Sequence, residues 1–239
     1  MTRELVYGRR PVREALRGRR EVLELHATER AVSAEPWLRD SSDVRVHVEP
    51  ERVLTDLAGT RDHQGVVAMC GPYPYADPYA LATLSRPLLV CLDGVTDPQN
   101  LGAVCRSAEG AGATGVVLPA HRSARVTPAV CRASAGAVEH LPVAVVPNLA
   151  RFVADVKGPS LWAYAAASEA ATSLWEADLA GGVVLVLGSE GKGIRPLVRR
   201  QCDGEIAIPL AGTIESLNVS VAAALFLFEA MRQRAAARA

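Results

Sequence analysis

The chain has 239 residues, 49% hydrophobic and 22% charged, with 26 basic residues balanced by 26 acidic ones. That usage excludes a disordered, fibrous or collagenous protein and leaves enough apolar mass for a sizeable core in one or two domains. Zero net charge excludes nucleic-acid binding through overall basicity, so any electrostatic footprint has to be local.

One such footprint opens the chain. Residues 1–20 hold Arg3, Arg9, Arg10, Arg13, Arg17, Arg19 and Arg20 against Glu4 and Glu14. The planar guanidinium fork suits phosphate, which makes Arg9, Arg10 and Arg13 candidate RNA contacts. A general preference for arginine is the plainer alternative, since only Lys157 and Lys192 are lysines. The same stretch lacks the apolar run of a signal peptide. No segment reaches 18 uninterrupted apolar residues. A soluble, cytoplasmic protein without membrane or DNA partners is expected.

Periodicity predicts a helix over residues 8–16, strands over 22–26 and 44–48, a short helix over 53–57 and a strand over 66–70. Three prolines between Gly71 and Tyr79 predict a linker over residues 72–86. The expected domains are therefore 1–71 and 87–239. Beyond the linker, apolar runs at 88–92, 115–118, 143–146, 161–165, 183–187 and 206–210 alternate with segments able to form helices. That alternation predicts an α/β fold with a parallel sheet covered on both faces. The last element, 216–234, is a helix apolar nearly all round between Val219 and Phe228, as expected of one buried in its own core or against a partner.

Three polar, Gly-rich stretches follow predicted strands. They are Asp93-Gly-Val-Thr-Asp-Pro-Gln-Asn-Leu-Gly102 with Arg106 beyond, Gly188-Ser-Glu-Gly-Lys-Gly193, and Ala211-Gly-Thr-Ile-Glu-Ser-Leu-Asn218. In an open parallel sheet, ligands bind beyond the carboxyl ends of the strands, so the three loops predict one shared site. Other motifs fail. Gly110-Ala-Gly-Ala-Thr-Gly115 has the letters of a dinucleotide fingerprint, but a helix precedes it and a strand follows, the reverse of what is needed. Lys192 lacks the Walker A spacing. The histidines at 26, 47, 63, 121 and 140 have no ligand spacing, so no metal is assigned. The five scattered cysteines give no disulfide framework.

Asp97-Pro-Gln-Asn100-Leu-Gly102-Ala-Val-Cys-Arg106, Leu187-Gly-Ser-Glu190-Gly-Lys-Gly193 and Ile208-Pro-Leu-Ala-Gly-Thr-Ile-Glu-Ser216-Leu-Asn218-Val-Ser220 resemble, in order and spacing, the three motifs of the SpoU, or TrmH-type, branch of the SPOUT RNA methyltransferases. Tyr7-Gly8 with Val12-Arg-Glu-Ala-Leu16, and His63-Gln-Gly-Val-Val-Ala68, resemble the substrate-recognition domain of the bacterial 23S rRNA guanosine-2′-O-methyltransferases, which is similar to ribosomal protein L30e.

The resemblance implies a C-terminal SPOUT domain with a trefoil knot behind a small L30e-like domain, working as a homodimer. It implies S-adenosylmethionine as cofactor, held by Leu187, Gly188, Gly191, Ile208, Leu210 and Leu217. It implies a ribose 2′-hydroxyl as methyl acceptor, in a guanosine of the peptidyl-transferase region of 23S rRNA, free or in a pre-ribosomal particle. Arg106, Asn100, Glu190, Ser216 and Asn218 become the expected catalytic set. Arg106 falls where the family places its base, yet an arginine side chain effectively never deprotonates. It could instead grip a phosphate and stabilise the forming alkoxide. Asn100 could orient the first loop or cap a helix, Glu190 could approach the reacting groups or hold its loop, and Ser216 could line the site or cap the last helix. A tRNA 2′-O-methyltransferase, an antibiotic-resistance 23S rRNA methyltransferase and a non-catalytic RNA-binding assembly factor are the competing readings.

Overall fold

The computed structural model describes residues 3–40 and 44–237. In chain order the elements are β1 (Glu4–Tyr7), α1 (Arg9–Arg17), β2 (Val22–Ala27), α2 (Glu29–Ala34), α3 (Pro36–Arg39), β3 (Arg45–Val48), α4 (Glu51–Ala58), β4 (Val66–Cys70), α5 (Pro78–Ala82), β5 (Leu88–Asp93), α6 (Pro98–Gly110) and β6 (Gly115–Pro119). They continue as α7 (Pro128–Ala133), a 3₁₀ turn (Ala137–Glu139), β7 (Val143–Val146), α8 (Leu149–Val156), β8 (Leu161–Ala166), β9 (Thr172–Ser173), β10 (Gly182–Gly188), α9 (Pro196–Arg199), β11 (Gly204–Ala207) and α10 (Val219–Ala236). Among the described residues no helix is long and apolar enough to cross a membrane.

Internal contacts divide the chain into two compact units, residues 1–74 with 125–140, and residues 75–124 with 141–239. The first unit is built on a four-stranded sheet ordered β1-β4-β2-β3, in which β4 runs antiparallel to both neighbours and β2 parallel to β3. Segment 125–140 belongs to this unit although it lies within the stretch 87–239. Its dock is polar as well as apolar. Arg20, whose side chain is 2% exposed, sits 3.2 Å from the fully buried Glu139 carboxylate, near enough to pair but not aligned for a hydrogen bond. The same guanidinium donates to Glu4 at 3.3 Å and to the Cys131 sulfur at 3.8 Å, and lies 4.9 Å from the centre of the Tyr73 ring. The Tyr73 hydroxyl donates to the Val138 carbonyl at 2.7 Å. Gly18 makes the close approach possible, because a Cβ there would fall 2.6 Å from the Glu139 carbonyl oxygen.

The second unit holds a seven-stranded sheet, β7-β6-β5-β10-β8-β11-β9, parallel throughout. β5 is buried at all six positions, and β10 at all but Gly188. Strands so uniformly apolar need cover on both faces. One face packs Leu89, Cys91, Val117, Val184 and Val186 against Leu81 of α5, Leu149, Phe152 and Val153 of α8 and Val198 of α9. α6 and α10 pack on each other, and α10 meets β10. Side-chain alternation along the strands assigns that pair the other face. The Pro-rich stretch is firmly packed from Tyr75 onward. Ala76 bridges to Ala144, Tyr79 meets Phe152 edge-on, and α5 contributes Leu81 to the core.

Two expectations are corrected. The strand expected over 206–210 is Gly204–Ala207, and the chain leaves the sheet before Pro209, which has no N–H to give a ladder. α10 starts at Val219 rather than Ser216 and is not buried all round, since Val221, Leu225, Phe228 and Met231 are each at least 37% exposed.

Truncating one partner of a buried pair strands the other's charge, at a cost of about 3–5 kcal/mol, whereas replacing both by apolar groups can be neutral. Glu139→Ala should therefore lower the urea midpoint substantially. The double variant Arg20→Met/Glu139→Leu should recover most of the loss, as followed by circular dichroism.

Candidate active site

Three loops converge at the carboxyl edge of the seven-stranded sheet. The first leaves β5 and enters α6. Asp97 caps that helix, its carboxylate accepting from Gln99 N at 2.9 Å, and Pro98 occupies the first turn where a missing N–H costs nothing. Asp97, and not Asn100, is therefore the cap, and the Asn100 amide is free for other work. It donates to Glu190 Oε1 at 3.2 Å and accepts from Asn218 Nδ2 at 2.9 Å. Asn218 Nδ2 also donates to Glu190 Oε1 at 2.6 Å. Asn218 Oδ1 caps α10 by accepting from Ser220 N at 2.8 Å. A flipped amide would set two donors against each other, so the network fixes the orientation. Asn100, Glu190 and Asn218, one from each loop, are thus joined through a single carboxylate oxygen.

The second loop is a hairpin closed on itself, with Gly193 N donating to Ser189 O at 2.9 Å. A Cβ on Gly188 would stand 2.1 Å from the Gly193 carbonyl carbon, and Gly191 and Gly193 take φ of 78° and 62°. The hairpin therefore depends on glycine for both close approach and left-handed backbone. Its exit is clamped. The Asp93 side chain, fully buried at the end of β5, accepts from Arg195 N and from Arg195 Nε, each at 2.7 Å.

The second and third loops enclose a cavity of about 460 Å³. Leu187, Gly188, Gly191, Ile208, Leu210 and Leu217 all line it, as do Glu190 and Ser216. Phe226 of α10 and Ile206 add apolar wall, and Lys192, Arg199 and Glu215 add charge. The volume falls within the roughly 300–1,000 Å³ of small-molecule and cofactor sites. An apolar wall for an aromatic base, with separate cationic and anionic groups for an amino-acid zwitterion, fits S-adenosylmethionine.

Arg106 is not part of this network. It is exposed on α6, six residues and about 9 Å along the axis beyond Asn100, and makes no hydrogen bond or ion pair among the described residues. Ser216 is exposed and does not cap α10. In the first unit, Arg9 is committed to Glu35 at 3.1 Å and to the Gln64 carbonyl, whereas Arg10 and Arg13 are exposed and unpaired among the described residues. Sequence reasoning missed the Asp93–Arg195 clamp and the Arg199 fork, which holds both Glu205 oxygens at 2.5 and 2.6 Å and is raised above its ordinary pKa first by those bonds. Asp93 and Arg195 are 102 residues apart, and the pair belongs to no recognisable spacing. The cysteines offer no nucleophile. All five are free, and burial pushes the Cys70, Cys105 and Cys202 thiols up to about 12, and Cys91 and Cys131 beyond it. Gly110–Gly115 does join the end of α6 to β6, the order that rules out a dinucleotide fingerprint.

Comparison with known families gives a match to the SpoU rRNA methylase family over residues 87–228. The chain belongs to that family. Residues 5–76 match a second family model, described as RNA 2′-O ribose methyltransferase substrate binding. A 23S rRNA (guanosine-2′-O-)-methyltransferase RlmB of Xanthomonas campestris is 48% identical over 191 residues, 77% of this chain and 76% of that protein. The RlmB of Pseudomonas syringae is 46% identical, over 83% of this chain and 82% of its own. Among solved structures, the SpoU methyltransferase AviRb of Streptomyces viridochromogenes in complex with the cofactor AdoMet superposes with a TM-score of 0.83 at 27% identity. That match covers 97% of this chain and 90% of AviRb. The TrmH/SpoU tRNA modifying enzyme of A. aeolicus reaches a TM-score of 0.57 at 26% identity, over 67% of this chain and 82% of that one. Like its family, this SpoU protein uses S-adenosylmethionine as methyl donor.

Hydrogen bonds to a charged group contribute about 1.5–3 kcal/mol each. Glu190→Ala removes the common acceptor of Asn100 and Asn218 at the cavity wall. S-adenosylmethionine binding, measured by calorimetry, should weaken by about 10–100-fold, and Glu190→Gln, which keeps Oε1, should lose less.

Proposed function

We propose that this protein transfers a methyl group from S-adenosylmethionine to the ribose 2′-hydroxyl of a guanosine in 23S rRNA, in the peptidyl-transferase region. The observation that carries the reading is the junction of Asn100, Glu190 and Asn218 on the rim of a cofactor-sized cavity, in a chain whose N-terminal part matches an RNA substrate-binding model. Relatives aligned over 77% and 83% of this chain are named 23S rRNA (guanosine-2′-O-)-methyltransferases. A tRNA substrate is disfavoured because the tRNA modifying enzyme matches only 67% of the chain. On this reading residues 1–71, with segment 125–140 packed among them, recognise RNA, and the rest of 87–239 forms the methyltransferase domain, into which the stretch 72–86 is packed from Tyr75 onward and whose C-terminal segment threads the trefoil knot of the SPOUT fold. The enzyme works in the cytoplasm, on free or pre-ribosomal 23S rRNA.

When bound, S-adenosylmethionine supplies an electrophilic methyl on a sulfonium whose sulfur leaves neutral. The protein's task lies on the acceptor side. Leu187, Gly188, Gly191, Ile208, Leu210 and Leu217 hold the donor. Asn100, Glu190 and Asn218 fix the three loops, and Ser216 lines the entry. Arg106 points an unpaired, permanently charged guanidinium to solvent. That character suits it to grip the RNA phosphate and stabilise the forming alkoxide, with the 2′-hydroxyl proton passing through that phosphate to water rather than to the guanidinium. Arg10 and Arg13, three residues apart on one face of α1, are the phosphate contacts of the first unit, and Arg9 holds the α1 entry in place. Labelled donor offered to unmodified 23S rRNA and to bulk tRNA should mark one ribose of the former. Arg106→Ala should remove most turnover, with Arg106→Lys intermediate. Label on tRNA, or full turnover by Arg106→Ala, would reject the assignment.

A homodimer belongs to the same proposal. Val221, Leu225 and Phe228, spaced i, i+4, i+7, form an exposed apolar stripe along α10 beside α6. Such a stripe is ordinarily buried against another surface. Leu225→Glu/Phe228→Glu should convert a dimer to a monomer in analytical ultracentrifugation; an unchanged sedimentation coefficient would place the interface elsewhere.

A further inference from the structure

We propose that Arg122 is a further substrate-binding residue, holding an RNA backbone phosphate beside the reacting ribose. The proposal rests on the reading above that the substrate is RNA.

Among the described residues, four non-glycine residues have left-handed backbone: Gln64 (φ 54°), Arg86 (φ 49°), Arg122 (φ 56°) and Ala135 (φ 52°). Each such residue costs on the order of 1 kcal/mol, so the surrounding structure must enforce it. For three of them a structural duty is visible. Gln64 Oε1 accepts from Arg9 N at the start of α1. Arg86 donates from Nε and from a terminal nitrogen to the Ala180 carbonyl. Ala135 ends α7, where Gly136 N donates to Cys131 O. Arg122 has no such duty. It is exposed, and its guanidinium has no hydrogen bond or ion pair among the described residues.

The loop that carries it is held at both ends. Ala120 N donates to Val146 O at 2.7 Å, and Ala124 N donates to Val95 O at 2.9 Å. Residues 121–123 are therefore raised between two fixed points at the carboxyl edge, where β6 pairs in parallel with β5. Val95, the second anchor, is buried two residues before the Asp97 cap and in the same loop that delivers Asn100. The strained turn thus stands at the same carboxyl edge as the loop that carries Asn100, with an exposed guanidinium unpaired among the described residues. Arg122 does not line the cavity, whose own cations are Lys192 and Arg199, so the ligand is not the donor's carboxylate. A guanidinium fork matches a phosphodiester through two parallel bonds. Phosphate contacts set the register of a nucleic acid without reading its bases.

The test compares Arg122→Gly, Arg122→Ala and Arg122→Lys with the unmodified protein, using full-length unmodified 23S rRNA. Three quantities are measured: S-adenosylmethionine affinity by calorimetry, RNA affinity across a salt series, and the urea midpoint. Arg122→Gly relieves the backbone, so its urea midpoint should be unchanged or higher and its donor affinity unchanged. Its RNA affinity should fall about tenfold, and the slope of log affinity against log salt should shrink by about 0.7–0.9, the share of one phosphate. Arg122→Ala should lose the same RNA contact and also some stability. Arg122→Lys should keep the slope and recover part of the affinity. RNA affinity and salt slope equal to the parent's in Arg122→Gly would overturn the proposal. So would parallel loss of donor and RNA binding, which marks a structural role. Failure of the RNA reading itself has a different signature, because the unmodified protein would then bind the rRNA without specificity and methylate none of it.

Discussion

Glu190 Oε1 is the point on which the site's geometry turns. Three loops separated by 90 and by 28 residues of chain meet there, through the Asn100 and Asn218 side-chain amides. A loop ordered alone would have to offset its own conformational entropy. Here the strand ends place the loops side by side, and one charge-assisted junction holds all three. The Asp93–Arg195 clamp works on the same problem from below, fixing the hairpin exit to the end of β5 from a fully buried carboxylate. Glu190 also lines the cavity, so one carboxylate links the cavity wall to Asn100.

The sheet was legible because its signal is dense. Six consecutive buried positions in β5 and a run of Val and Leu in β10 admit few alternatives, and the polar loops after them mark the carboxyl edge. The helix caps were harder. Asn100 and Ser216 are both good capping types, and Asp97 and Asn218, a few residues away, do the capping instead. Residue type alone cannot rank neighbours of equal propensity. At α6 the long-range partner tells them apart, because Glu190 engages Asn100 while Asp97 caps; at α10 Asn218 does both, capping through Oδ1 and donating to Glu190 through Nδ2.

Segment 125–140 shows the same limit on a larger scale. Its sequence reads like any connection in an alternating α/β chain, yet it packs in the first unit. Its dock includes a buried ion pair whose basic half looks, in the sequence, like one more member of an arginine cluster. Arg20 is 2% exposed while Arg10 and Arg13 are open to solvent. Local composition treats the three alike. Burial beside Glu139, 119 residues on, and against Glu4 and Tyr73 distinguishes Arg20, and a buried guanidinium is tolerable only with such partners.

The arginines of this protein therefore divide by whether the fold has already used them. Arg20, Arg195 and Arg199 are spent on carboxylates within the chain, and each fixes a segment. Arg9 is spent on Glu35 and the Gln64 carbonyl, and so shapes the start of α1. Arg10, Arg13, Arg106 and Arg122 remain exposed with no partner among the described residues. A guanidinium left in water costs the fold nothing, so exposure alone carries no function. Arg122 adds a backbone conformation that the chain would not adopt without constraint, and Arg106 adds a place in the first motif. For a chain of zero net charge, this is how phosphate recognition can arise. The intramolecular carboxylates neutralise the structural arginines and leave other arginines exposed, among them Arg106 and Arg122 in the second unit.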